Sequence, residues 1–178
     1  MNINEDNSTF KDNFDFDKIY LVSERKLYKI KYYGKDIVLN TAQFTLPFGF
    51  EKYSGKLIMN LEFDVTDNEV YNYITSIKSF DNLFNKIKTN TINKIPEKLK
   101  RTIEKSYYVA SIKERGNVTK DIKKFHHRCH VKNPASFFIC DTKDKKFVAQ
   151  VKLDHLWVHN ETYGLVWYII LLKEIHNN

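Results

Sequence analysis

At 178 residues, with 42% hydrophobic and 29% charged residues, the chain is long enough to bury a core without disulfides or metal and too apolar to stay disordered. Its basic balance, Lys+Arg 29 against Asp+Glu 22, and its 15% aromatic content suit a polyanion, since Lys and Arg track phosphates while flat rings stack on bases. The longest apolar run, GLVWYIILL, is about half a membrane span, and the polar, acidic start carries no signal-peptide pattern, so an intracellular chain with Cys129 and Cys140 as reduced thiols is expected.

Residues 1–17 read as an acidic flexible segment and residues 18–178 as a single domain. Residues 1–18 hold five acids and two lysines, which leaves 27 of the 29 basic and 17 of the 22 acidic residues to the rest. Leu27–Tyr33 and Asp36–Phe44 read as a hairpin turning at Gly34-Lys35. In its first strand Tyr28, Ile30 and Tyr32 alternate with Lys29, Lys31 and Tyr33, so an apolar face backs a basic one. TLPFGFEKYSG is a loop punctuated by Pro47, Gly49 and Gly55. Leu57, Met59, Leu61 and Phe63 mark the apolar face of a third strand.

The period then changes. Val70, Tyr73, Ile74, Ile77, Phe80, Leu83, Phe84 and Ile87 recur at three- and four-residue steps, an amphipathic helix with Asp67 or Asn68 as N-cap. A short second helix starts near Pro96. Strands return in SYYVASIKERG, which runs to a turn at Gly116-Asn117, and in KFHHRCHVKN, which ends at Asn133-Pro134. Two hairpins follow, turning around Asp141–Lys145 and near Asn160–Thr162. This order predicts a mostly β protein, an OB-fold-like barrel with one main helix between its third and fourth strands. An α+β sheet with one helix packed on it is the alternative.

KKFHHRCHVKN gathers His126, His127, Cys129 and His130, which invites a zinc reading. Strand alternation divides them. Phe125, His127, Cys129 and Val131 share one face; His126, Arg128, His130 and Lys132 share the other, and Arg128 would repel a cation. The second face is a basic row at roughly 6–7 Å steps, close to the phosphate spacing of an extended single strand. A solvated edge strand kept basic against aggregation is the plainer alternative. The histidines would strengthen anion binding below about pH 6.5 by gaining charge.

Catalysis has little to stand on. Ser111 and Ser136 have no glycine elbow, Cys129 and His130 point apart as strand neighbours, and no G-x-G-x-x-G or P-loop is present. Glu62 with Asp64, or Asp141 with Lys143, could serve a nuclease, but such residues are common on a lysine-rich chain. No enzyme activity, cofactor or metal is expected. Phe44, Phe48, Phe50 and Tyr53 crowd the Pro/Gly loop, as a stacking platform or as the plug of a barrel end. Trp157 and Trp167 lie on either side of the last turn. In the strand after it, Trp167, Ile169 and Leu171 share one face, and Val166, Tyr168, Ile170 and Leu172 the other; both are apolar, as in a central strand.

VLNTAQFTLPFGFEKYSGKLIMNLEF resembles a segment of the single-stranded-DNA-binding proteins of large double-stranded DNA viruses, in which a strand leads through a threonine and a Pro-Phe-Gly element into the next strand. Here those positions are Thr41, Pro47, Phe48 and Gly49. RCHVKNPASFFICD, with Arg128, Lys132 and Asp141, is similar to a later strand of that family, and LWVHNETYGLVWYIILLKEI, with Trp157, Tyr163-Gly164 and Trp167, to its closing hairpin. The order agrees over residues 27–175. The resemblance implies an OB-fold core and sequence-tolerant binding of single-stranded DNA in replication or repair, at a viral replication site in the host cytoplasm or nucleus. One departure is the C-terminal LLKEIHNN, where many replication single-strand binders carry an acidic tail that recruits partners.

On this reading Lys29, Lys31, Lys113, Arg115, Arg128, His130 and Lys132 contact phosphates, and Phe48, Tyr53 and Trp157 stack on bases. The expected partner is single-stranded DNA, with a second copy of the chain and replication proteins as further partners and no membrane. An RNA-binding OB domain and a protein-interaction or virion structural module are the alternatives.

Overall fold

A computed structural model describes residues 15–65, 67–87, 95–115, 123–132 and 141–176. The expected turns at Gly116-Asn117 and Asn133-Pro134, Cys140, and nearly all of the acidic N-terminal segment lie outside the described residues. Among the described residues five strands precede the main helix: β1 (Ile19–Glu24), β2 (Leu27–Tyr32), β3 (Ile37–Asn40), β4 (Phe50–Tyr53) and β5 (Lys56–Asp64). Then come α1 (Asn68–Asn85), α2 (Glu97–Glu104), β6 (Tyr107–Val109), β7 (Ile112–Arg115), β8 (Lys124–Val131), β9 (Lys146–His159) and β10 (Thr162–Ile175). The main helix therefore follows the fifth strand, not the third. β1 and β4 are the strands that sequence reading passed over.

Among the described residues the protein is mostly β, with ten strands in one sheet. Its path runs β1-β2-β9-β10-β8-β5-β4, with β3 beside β9, β6 beside β10 and β7 beside β8. β10 runs parallel to β8 and β6; the other ladders are antiparallel.

The expected closed barrel is not formed: the sheet is open. Between β9 and β5 passes the segment after β3, and it gives each neighbour one isolated pair, Phe44 with Phe147 and Thr45 with Glu62. Their backbone bonds are 2.9–3.0 Å. Pro47, two residues on, has no N–H with which to extend a ladder.

The expected β2–β3 hairpin is also corrected. Its turn exists, with Tyr33 at φ 48° and Gly34 at φ 80°, the left-handed pair that a type I′ turn needs. Pairing stops after Tyr32–Lys35, and both strands then lie along β9.

α1 packs Val70, Tyr73, Ile74, Ile77, Phe80 and Phe84 into the core, and Asp67 caps it by accepting the Val70 N–H at 2.9 Å. The largest fully buried side chains include Trp167, Tyr163, Phe63, Phe80, Phe84 and Phe147. β10 is central, as its two apolar faces imply. A register shift between Ile169 and Leu171 inserts Ile170 as an extra residue, so the alternation slips. Leu172 then packs on the core, while Ile170 and Leu171 are exposed.

Candidate nucleic-acid interface

β8 keeps the alternation of its sequence. Phe125, His127, Cys129 and Val131 are buried on the core side. Opposite them, His126 and Arg128 face Glu62 and Asn60 of β5, and His130 faces Ile58 of β5 and Tyr168 of β10. Lys113 pairs with His126 and Arg115 with Lys124, which puts both β7 side chains on this outer face. Lys29 pairs with His155, and Trp157 with Gly164, on the same side. The register thus brings Lys29, Lys31, Tyr53, Lys113, Arg115, Arg128, His130 and Trp157 to one face of the sheet, with Phe48 and Lys132 at its margin.

Three rings on or beside this face lie under cations. Arg115 sits 5.7 Å from the centre of the Phe48 ring, Arg128 4.9 Å from Tyr53, and Lys132 4.4 Å from Tyr168. Such contacts contribute roughly 0.5–1 kcal/mol at exposed sites. Phe48 and Tyr53 are 50% and 59% exposed, so the Pro/Gly loop presents rings to solvent and does not plug a barrel with them. Phe44 is instead a core residue, buried against Phe63 and Phe147. The arm carrying Lys113 and Arg115 is fixed from below by Asp81 of α1. Its carboxylate accepts from the Tyr108 hydroxyl (2.5 Å), the Ser111 hydroxyl (2.7 Å) and the Ser111 and Ile112 N–H groups. Burial raises the Asp81 pKa against the pull of those donors.

Not every expected contact is free. Lys29 lies 2.5 Å from the buried Asp154 carboxylate, and Lys31 lies 2.5 Å from Asp36. Lys132 stands 3.5 Å from Asp154. Trp157 is half-buried, with its indole so close across Gly164 that a Cβ there would meet Nε1 at 2.9 Å. The expected histidine charging is corrected. Burial lowers the pKa of His126, although Glu62 lies 2.9 Å away, and pushes His130 down to about 4 with the help of Lys56, His155 and Arg128. His127, wholly buried with Tyr73 2.8 Å from Nδ1, is pushed down to about 3. His127 and His130 are therefore neutral near pH 6.

Sequence reading missed Tyr168, Lys152 and Asp154. Lys152 lies 2.7 Å from Asp36 and 3.6 Å from Asp154. Among the described residues no group of three or more His, Cys, Asp or Glu is arranged to hold a metal ion. No described helix is long and apolar enough to cross a membrane. No protein-family model, curated protein or solved structure matches the chain.

Proposed function

We propose that this chain binds single-stranded DNA with little sequence preference, as a non-enzymatic OB-like module of viral replication or repair. The observation that carries the reading is the repeated pairing of ring and cation at one side of the sheet: Phe48 with Arg115, Tyr53 with Arg128 and Tyr168 with Lys132. Each pair offers a surface on which a base can stack beside a charge that can meet the adjoining phosphate. Neither element reads base edges, so the interface tolerates sequence.

The strand connectivity supports the OB-like part. The segment from β3 to Thr45, then β5, β8, β10 and β9, follow one another in the neighbour order of an OB fold, left open where only the isolated Thr45–Glu62 pair meets β5, with β8–β10 the one parallel contact among them. An OB fold is a partly open five-stranded Greek-key barrel, and its second and third strands and its first interstrand loop carry the ligand. Here those are β5, β8 and the stretch holding Phe48 and Tyr53. The helix between β5 and β8 is a departure from the usual order.

Fluorescence titration with poly-dT at two salt concentrations tests the function. Affinity falls steeply with salt, and Arg128→Ala with Lys132→Ala weakens it and reduces the salt slope by about 2. Affinity indifferent to salt or to that double substitution refutes the reading. A matched RNA oligomer that outcompetes DNA would assign the face to RNA, through the 2′-OH.

A further inference from the structure

The lower-numbered end of the outer face holds more positive charge than the structure itself neutralises. Around the Asp154 carboxylate, 1% exposed, stand Lys29 at 2.5 Å, Lys132 at 3.5 Å and Lys152 at 3.6 Å, with His155 Nδ1 at 2.7 Å. Asp36 adds one carboxylate and Lys31 one more ammonium. Four lysines thus share two acids. Lys132 and Lys152 approach the same oxygen, Oδ1, and neither makes a hydrogen bond to it; that oxygen is buried without a hydrogen-bond partner. Like charges gathered in a partly desolvated site cost free energy unless an anion joins them.

The gathering has a backbone cause. His155 faces Val166 and Leu153 faces Trp167, so Asp154 is the unpaired residue of a bulge in β9. A bulge re-aims its side chain, and here the carboxylate turns to the lysine side. Tyr168 lies alongside, its ring under Lys132 and near His130 and His155.

We propose that Lys29, Lys132 and Lys152, held together by Asp154 beside Tyr168, form a seat for a phosphate group. Its occupant is a phosphate of the bound single strand, with the neighbouring base on Tyr168; this assignment rests on the nucleic-acid reading, whereas the seat itself does not. About 13 Å of β8 separates Arg128 from Lys132, so the seat lies about two nucleotides beyond the Tyr53 pair.

Two arms test it on the full chain. Pyrophosphate, titrated while amide NMR shifts are followed, gives saturable changes at Lys132, Asp154 and Tyr168. Lys152→Gln weakens that binding severalfold, while Lys98→Gln on the exposed side of α2, an equal loss of charge, leaves it unchanged. In the second arm, Lys152→Gln lowers the salt slope of dT binding by about 1 and Tyr168→Leu weakens dT binding with the slope kept. No saturable shift with pyrophosphate, or equal effects of Lys152→Gln and Lys98→Gln, overturns the seat. Pyrophosphate bound at the seat by a protein indifferent to dT upholds the seat and removes the nucleic-acid reading.

Discussion

Replacing Asp154 by alanine strips the counter-charge from Lys29 and Lys152, which are 19% and 22% exposed. Breaking a buried ion pair by removing one partner costs about 3–5 kcal/mol, because the other charge is left desolvated. The lysines here are partly wet and Lys152 keeps Asp36 at 2.7 Å, so the lower end, about 3 kcal/mol, applies. For a chain of this size that lowers Tm by about 6–12 °C. Urea and thermal unfolding followed by circular dichroism measure it. Adding Lys29→Met to Asp154→Ala removes a stranded charge and recovers part of the loss. The pH dependence has a definite sign. Hydrogen bonds from His155 and Lys29 hold the Asp154 carboxyl well below its ordinary value, against the opposing effect of burial. A depressed carboxyl stabilises the fold above its unfolded pKa of about 3.8 and loses that contribution as pH falls through the folded value. The gap between wild type and Asp154→Ala is therefore flat above about pH 4.5 and narrows only in stronger acid. A Tm change under about 2 °C, or no recovery from Lys29→Met, would refute the reasoning.

Three other outcomes follow from packing and titration. Gly164→Ala puts a Cβ 2.8 Å from the Val109 carbonyl oxygen and 2.9 Å from Trp157 Nε1, and lowers unfolding free energy by about 1–3 kcal/mol with a shift in tryptophan emission; unchanged stability would contradict the close approach of β6 and β10. His127, held down to about 3, makes the unfolded chain take up a proton that the folded one does not as pH falls below its ordinary 6.5. This residue alone therefore takes about 2 kcal/mol from the stability between pH 6.5 and 5, and a urea series shows a drop shallower by about that amount in His127→Gln. Since burial holds His130 down to about 4, it stays neutral on acidification from pH 7.5 to 5.5, so the change in dT affinity over that range is the same in His130→Gln, and a smaller gain in that variant would mean that His130 charges.

The parts of the fold that follow local period were legible. Val70 to Phe84 repeat every three or four residues because one stripe of α1 meets the core, and Phe125 to Val131 alternate because β8 has a core face and an outer face. What escaped was pairing. β4 was hidden inside an aromatic loop, although Ser54 and Gly55, at φ 50° and 76°, form the tight turn that returns it to β5. β2 and β3 looked like partners because a turn separates them. Turn chemistry sets the local reversal, while the length of the ladder depends on which edge is available, and β9 offers its edge to both.

The same limit explains the site. Arg115, Arg128 and Lys132 were legible because exposed cations on short strands have few alternatives to solvent, and Phe48 and Tyr53 because Pro47 and Gly49 keep their loop at the surface. By its alternation Tyr168 groups with the apolar residues of β10, and nothing local indicates that parallel pairing with β8 lays it beside His130 and under Lys132. Asp154 is the clearest case. In VKLDHLW strict alternation would place it opposite Leu153 and level with His155's neighbours on a single side, yet Leu153, Asp154, His155 and Leu156 are all buried. The bulge puts Asp154 and His155, neighbours in sequence, on the same lysine-bearing side, with Leu153 and Leu156 on the core. A bulge is a property of the register between two strands, one extra residue on one of them, so it is invisible in either one alone. The residue that gathers Lys29, Lys152 and, just beyond β8, Lys132 is thus set by the register shift between β9 and β10, and the charge on this face is arranged by the sheet as much as supplied by the sequence.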